Sequence, residues 1–251
     1  MTAWKIAGVQ GLVVASVLAS WQLATTIQPQ WGFFLGTPLG FAHEFSEGVG
    51  SGQLVQHSMV TLSEATIGFL LGTTLGATFG LILGRFDLLY RVSRPFIIGL
   101  GALPVFALGP VLIFWLGTGP ASKIALSFLA TFLVALSQTQ QGMKEVESKL
   151  VGIALAFGAS SRDLFRYVIV PACLVWVFSA SRLHIGIALL AAVVGEFVSA
   201  RAGLGYYIVV AEGLFNIDQI WTGVFCLVLC ALLLHAAVTP LERWISKWRL
   251  N

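Results

Sequence analysis

The chain reads as an all-α polytopic membrane protein with six transmembrane helices and a cytoplasmic loop of two short helices between the fourth and fifth. Three observations carry that reading. Of 251 residues, 57% are hydrophobic and 10% charged, with mean hydropathy +0.90. Soluble domains carry about 25% charged residues, so a chain this poor in charge cannot clothe itself against water. The charges fall in clusters separated by apolar runs of membrane-crossing length, and the basic clusters recur on one side only.

A helix needs roughly 20 apolar residues to cross the hydrocarbon, because each residue advances it about 1.5 Å. Ile6 to Ile27 carries no charge. It is too long for the apolar region of a signal peptide, and no clear small-x-small cleavage site precedes the next segment. It is expected to persist as the first helix.

Ala65 to Gly84 is the second uncharged run, between Glu64 and Arg85. Here Gly68, Gly72, Gly76, Gly80 and Gly84 recur every four residues, along one gently drifting stripe of the helix. Glycine is unfavourable inside a helix, so such a stripe needs a reason. Small residues at this spacing let another helix backbone come close. Packing within the subunit and a sliding or dimer surface both fit.

The third run, Pro95 to Ser122, is rich in helix breakers: Gly99, Gly101, Pro104, Gly109 and Pro110, then Gly117, Gly119 and Pro120. Proline removes a backbone donor and kinks a helix. Broken helices are tolerated in membranes where protein covers them or where they line a watery cavity. Pro104 therefore marks either a packing kink or a pathway-lining bend.

The fourth run is Ile124 to Met143 and the sixth Gln219 to Leu241, both uncharged. The fifth, about Ala172 to Val198, holds Arg182, His184 and Glu196 and is expected to face protein rather than lipid. Arg182 falls midway along it. Glu196 lies 14 residues on, close to four turns, so the two project to nearly the same side, roughly 21 Å apart. An intramembrane Arg is a candidate site for an anionic solute, or a structural group bonded to carbonyls of kinked neighbours. Glu196, near the outer end, is a further candidate for the substrate pathway, or a group that caps or pairs with a loop, and His184 is expected to be a satisfied core residue.

Orientation follows from Lys and Arg. With the N-terminus inside, segments 1–5, 85–95, 141–171 and 242–251 hold all but Lys123, Arg182 and Arg201 of the 14 basic residues. Glu44, Glu47, Glu212 and Asp218 fall in the outer loops, 28–60 and 200–218. This positive-inside pattern puts both termini in the cytoplasm. The net charge of +3 thus reports orientation and not nucleic-acid binding. Cys173, Cys226 and Cys230 have no metal-ligand spacing. No G-x-x-x-x-G-K-[ST] stretch occurs, so this chain is not expected to bind ATP in the usual way, nor any other cofactor. Residues 1–251 read as a single domain.

The inner segment 141–171 is long for a helix–helix connection, commonly about 2–8 residues. Leu150 to Phe157 reads as a short apolar helix. Gly158 suits its C′ position, where positive φ is needed. Ser160-Ser161-Arg162-Asp163 resembles a capping box opening a second helix with Leu164, Phe165 and Val168, ending about Pro171. Exposed apolar residues on such helices mark a protein contact, or a membrane surface suited to Arg162 and Arg166.

Val151-Gly-Ile-Ala-Leu-Ala-Phe-Gly-Ala-Ser, followed by Asp163-Leu-Phe-Arg-Tyr-Val-Ile-Val-Pro-Ala172, resembles the Glu-Ala-Ala loop of binding-protein-dependent ABC importer permeases. Ala154, Gly158, Ile169 and Pro171 match that pattern. Gly152 and Ile153 stand where Glu and Ala usually stand, and Val170 replaces a Leu. Arg94-Pro95 through Leu103-Pro104 to Phe114-Trp-Leu-Gly-Thr-Gly119 is similar to the alkanesulfonate, taurine and nitrate branch. So are Ser181-Arg-Leu183, Val194-Gly-Glu196 and Ala202-Gly-Leu-Gly-Tyr206.

The resemblance implies a multi-pass permease of the bacterial inner membrane, working as a dimer with a second copy. Two cytoplasmic ATPase subunits would carry ATP and Mg. A periplasmic or lipid-anchored binding protein would deliver a small anion or polar nutrient of the sulfonate, taurine, nitrate or bicarbonate type. Ala154, Phe157, Gly158, Ala159, Ser160, Asp163, Phe165 and Pro171 would form the ATPase-coupling surface. An ATP-independent transporter or channel accounts for the spans and Arg182 but not for the helix–Gly–helix loop. An integral-membrane enzyme is not expected, since the sequence shows no His/Asp/Glu cluster with metal spacing and no nucleophile–base pair at a membrane face.

Overall fold

The computed structural model describes residues 3–146 and 148–246. Both chain ends, with Lys247 and Arg249, and the side chains of Lys149 and Arg243 lie outside the described residues, so the positive-inside pattern is seen there only in part.

The uncharged runs lie in helices, several of which extend past the charges bounding the runs, as α4 does past Glu64 and α7 past Lys123. In chain order these are α1 (Ala3–Ile27), α2 (Pro29–Leu35), α3 (Pro38–Gly50), α4 (Gln53–Arg85) and α5 (Asp87–Gly101). A 3₁₀ turn, Val105–Leu108, leads into α6 (Gly109–Leu116). Then come α7 (Pro120–Lys144), α8 (Ser148–Ala156), α9 (Ser161–Leu164) and a π-turn, Phe165–Ile169. The chain continues through α10 (Val170–Ser179), α11 (Ser181–Val198), α12 (Leu204–Gly213) and α13 (Ile217–Ser246). Among the described residues there is no strand. Trp4–Ile27, α4, α7, α11 and Ile217–Pro240 are each long and apolar enough to cross a membrane. The pair α5 and Val105–Leu116, bent by 79°, makes a sixth span when counted as one broken helix.

The bend falls at Ala102–Pro104, where the breakers cluster, and Pro104 caps the 3₁₀ turn. The fifth span also breaks. It was expected to run unbroken from about Ala172, but Ala180 (φ −94°, ψ 0°) separates α10 from α11. α11 alone then has the length of a crossing.

α4 and α7 form the central pair, and the glycine stripe is where they meet. A Cβ at Gly72 would lie 2.7 Å from the Phe128 carbonyl oxygen; at Gly68, 3.0 Å from that of Ile124; at Gly80, 2.7 Å from Thr139 Cβ. Real Cβ atoms do not approach neighbours so closely, so the stripe lets the two backbones touch. Both partners are in one chain, which makes this a packing surface within the subunit. α11 lies across the pair: Ser127 Oγ donates to the Ala188 carbonyl (2.8 Å), and Leu112, Leu126, Ala130 and Ala191 form a cluster beneath α6. A second cluster joins α4, α11, α12 and α13 through Leu54, Leu189, Leu204, Tyr207, Cys226 and Cys230. Both Cys226 and Cys230 thus fill core space.

α2 and α3 are helices in a segment expected only as a loop. They are fastened to α13: the Thr37 N–H donates to Asp218 Oδ1 (2.6 Å) and Trp221 Nε1 to the Leu35 carbonyl (2.9 Å). α1 joins them at its far end, where Trp21 Nε1 donates to the Gly36 carbonyl (3.1 Å) and Trp21 meets Trp221 edge-on.

Candidate functional site

The segment expected to carry function is a helical hairpin. α8 ends in a paired C-terminal turn: the Ala159 N–H reaches the Ala154 carbonyl (3.0 Å) and the Gly158 N–H the Leu155 carbonyl (3.0 Å). These are the two bonds of a Schellman motif, with Gly158 at C′ and φ +79°. Nothing lies within 4 Å of a Cβ built on Gly158, so backbone conformation and not space demands glycine. Two residues on, Ser160 Oγ accepts from the Asp163 N–H (3.2 Å) and Asp163 Oδ2 accepts from the Ser160 N–H (3.1 Å). This capping box fixes the start of α9. The Ser160 hydroxyl, then its N–H, hold the Asp163 carboxyl below the ordinary aspartate range.

The hairpin's free surface is apolar. Phe157 is 89% exposed, and Ile153 and Leu155 are more than half exposed. Ala154 and Ala159 are half-buried behind them. Phe165, expected on the same surface, instead faces the membrane helices: its ring lies 5.3 Å from the Arg85 guanidinium at the end of α4. The second hairpin helix also does not end at Pro171. It continues through the π-turn into α10, with Pro171 in the first turn of α10. Proline supplies no N–H to the preceding turn, and a π-turn is one way a helix absorbs that loss without breaking.

Arg182 lies at the end of a span and not at its middle, because Ala180 breaks the helix just before it. Its Nε is 3.7 Å from Glu242 Oε2, beyond the apolar stretch Ile217–Pro240 of α13. Ser181 Oγ also donates to Glu242. His184 is fully buried and satisfied, with Nε2 2.7 Å from Gln138 Oε1 and Nδ1 3.5 Å from Thr73 Oγ1.

Glu196, 2% exposed, belongs to a buried polar lock at the opposite end of α11. There the first N–H groups of α12 have no partners within their own helix. Side chains from two other helices supply them. The Gly203 N–H donates to His57 Nδ1 (3.0 Å), Leu204 N–H to Thr61 Oγ1 (2.7 Å) and Gly205 N–H to Glu196 Oε2. Thr61 in turn donates to Glu196 Oε1 (2.7 Å). Lys123, 1% exposed, holds the neighbouring loops together by donating to the Thr118 (2.6 Å), Gly119 (3.3 Å) and Ser199 carbonyls. A cavity of about 410 Å³ adjoins the lock, lined by Val60, Glu64, Thr118, Lys123, Arg201 and Ala202 among others.

His57, Thr61, Glu64 and Lys123 had no assigned role in the sequence reading. One signal was present: Glu64 stands four residues before Gly68 and so begins the same stripe. Lys123 looks like an ordinary charge at a span boundary, and only the fold shows it buried.

Fold and site together define a multi-pass helical membrane protein with a capped helical hairpin at one end and a buried polar lock at the other. The chain belongs to the binding-protein-dependent transport system inner membrane component family, whose model matches residues 72–250. It is 34% identical over 235 residues to the riboflavin transport system permease protein RibX of Chloroflexus aurantiacus, covering 94% of this chain and 88% of that one. It is 30% identical over 238 residues to the putative aliphatic sulfonates transport permease protein SsuC of Bacillus subtilis, covering 95% and 86%. Its fold matches a chain of the inward-facing MetNI methionine ABC transporter with a TM-score of 0.67 at 20% identity, over 77% of this chain and 96% of that one. The protein is a membrane permease of the ABC transporter class, a non-catalytic subunit.

Proposed function

We propose that this permease forms the substrate pathway of an importer as a dimer and couples to two cytoplasmic ATPase subunits through the hairpin of residues 148–169. The observation that carries this is the hairpin itself: a Schellman turn and a capping box back to back, presenting Ile153, Leu155 and Phe157 bare to the surroundings. An exposed apolar patch on a rigidly capped element fits a protein groove. A secondary transporter or channel has no use for it. A binding protein on the opposite side delivers the substrate, a small polar nutrient. Named relatives act on riboflavin and on aliphatic sulfonates, so the class of nutrient follows the binding protein more than the permease.

The testing variant is Gly158→Val. A β-branched residue at φ +79° is strained by roughly 1–2 kcal/mol. The strain is local, so the spans insert and pack while the hairpin is displaced. The expected result is a folded permease that retains the ATPase poorly in pull-down. Normal retention together with normal ATP-dependent uptake would show that the hairpin is not the docking element.

Orientation is part of the same proposal. The hairpin end of the bundle, with Arg85, Arg91, Arg94 and Lys144, faces the cytoplasm, and α2, α3 and α12 face outward. Single cysteines at Glu47 and Lys144, both exposed positions, are expected to react with impermeant maleimide from opposite sides of sealed vesicles. Reaction of both from the same side would contradict this arrangement.

A further inference from the structure

α4 is 33 residues long, about 50 Å of continuous helix, and reaches from one functional end of the molecule to the other. At its beginning His57, Thr61 and Glu64 belong to the polar lock and its cavity. Along its middle the glycine stripe holds it against α7 at backbone contact. Its last residue is Arg85. One Nη of Arg85 donates to Ser161 Oγ at 3.1 Å, and its guanidinium lies 5.3 Å from the Phe165 ring centroid. Ser161 opens α9 directly after the N-cap Ser160, and Phe165 opens the π-turn. Among the described residues, the Arg85–Ser161 bond is the side-chain hydrogen bond that joins residues 148–164 to another element.

We propose that Arg85 is the positioning residue through which movement of the hairpin reaches α4, and through α4 the polar lock at the far end; this rests on the coupling role given to the hairpin above. Two physical features favour it. A planar guanidinium can hold a hydroxyl and stack on a ring at once, so it fixes orientation as well as distance. A helix held against its neighbour's backbone at Gly68, Gly72, Gly76 and Gly80 does not bend along that stretch to absorb a push at its end. The Ala180 break interrupts the covalent route from the hairpin through α10 to α11, whereas the route through Arg85 meets an unbroken helix.

The test uses the permease together with the ATPase that co-purifies with it, in proteoliposomes. Ala202→Cys places a reporter on the cavity beside the polar lock, in a chain whose three native cysteines are buried. With Arg85 intact, ATP and vanadate are expected to change the maleimide labelling rate of this reporter about fivefold or more. In Arg85→Ala that change is expected to fall below about twofold while ATPase pull-down and ATP hydrolysis persist. Arg85→Lys is expected to keep part of the response. Ser161→Ala, an exposed position that threatens no fold, is expected to weaken it in the same direction. A nucleotide response in Arg85→Ala equal to that of the parent would overturn the proposal. Loss of ATPase pull-down in Arg85→Ala would also overturn it, by making Arg85 part of the docking surface. Absence of any response with Arg85 intact would instead overturn the coupling role of the hairpin itself.

Discussion

Gly76→Leu is expected to disrupt the packing of α4 on α7 and lower the melting temperature, while Leu75→Ile next to it leaves both unchanged. A Cβ on Gly76 would already stand 2.9 Å from Ala135 Cβ, and closer still to the Phe132 carbonyl oxygen. Leucine adds three further carbons in the same direction. No rotamer can carry them away, because the obstruction is backbone and begins at Cβ. α4 and α7 must therefore separate, which also withdraws Gly72 and Gly80 from their contacts above and below. Overpacking of this kind destabilises by upward of about 3 kcal/mol. For a chain of this length that corresponds to a fall in melting temperature on the order of 10 °C. Leu75 is 40% exposed on the flank of the same turn, and exchanging it for Ile keeps its volume. The comparison is made by thermal unfolding of both variants in detergent, with expression alongside. Equal melting temperatures would mean that α4 and α7 are not in backbone contact.

That stripe was legible because its period is its meaning: glycine every fourth residue can serve only one face of a helix. The hairpin was legible for a related reason. Gly158 and Ser160–Asp163 act through backbone geometry within five or six residues, so their bonds lie within one local window. Features that depend on distant chain were not. Ala180 is an ordinary helix former, and nothing near it announces the break that moves Arg182 from the middle of a span to its end beside Glu242. Phe165 looked like one more apolar hairpin residue, because its partner Arg85 lies 80 positions earlier and reads as a boundary charge. Lys123 has the same disguise. Its burial follows from carbonyls at Thr118, Gly119 and Ser199 turning inward, which no periodicity encodes. α2 and α3 were missed because proline and glycine at 29, 32, 36, 38 and 40 suggest a loop, whereas Pro29 and Pro38 occupy the first turn of short helices, where a missing N–H does no harm.

Glu196→Ala is expected to open the polar lock. The substitution removes acceptors from two buried donors at once, the Gly205 N–H and the Thr61 hydroxyl. Thr61 also accepts from the Leu204 N–H, so its release loosens a second of the three bonds at the start of α12. It further takes away one of the buried carboxyls near the Lys123 ammonium. Breaking a buried charged network by deleting one member destabilises by about 3–5 kcal/mol, since the groups left behind are neither solvated nor paired. Glu196→Gln fills the same space but offers one acceptor and one donor where two acceptors are needed, so its effect should be intermediate. Glu47→Ala removes a carboxylate that is largely in solvent and serves as the control. The damage is concentrated in the segment from Ser199 to Gly205, and Arg201 in that segment is exposed. Trypsin is therefore expected to cut after Arg201 at least about tenfold faster in Glu196→Ala than in the parent, an increase well within what the lost stability allows locally. Cleavage in Glu47→Ala should match the parent. If Glu196→Ala resists trypsin as the parent does and melts at the same temperature, Glu196 does not hold α12 in place. The start of α12 would then rest on His57 and Thr61.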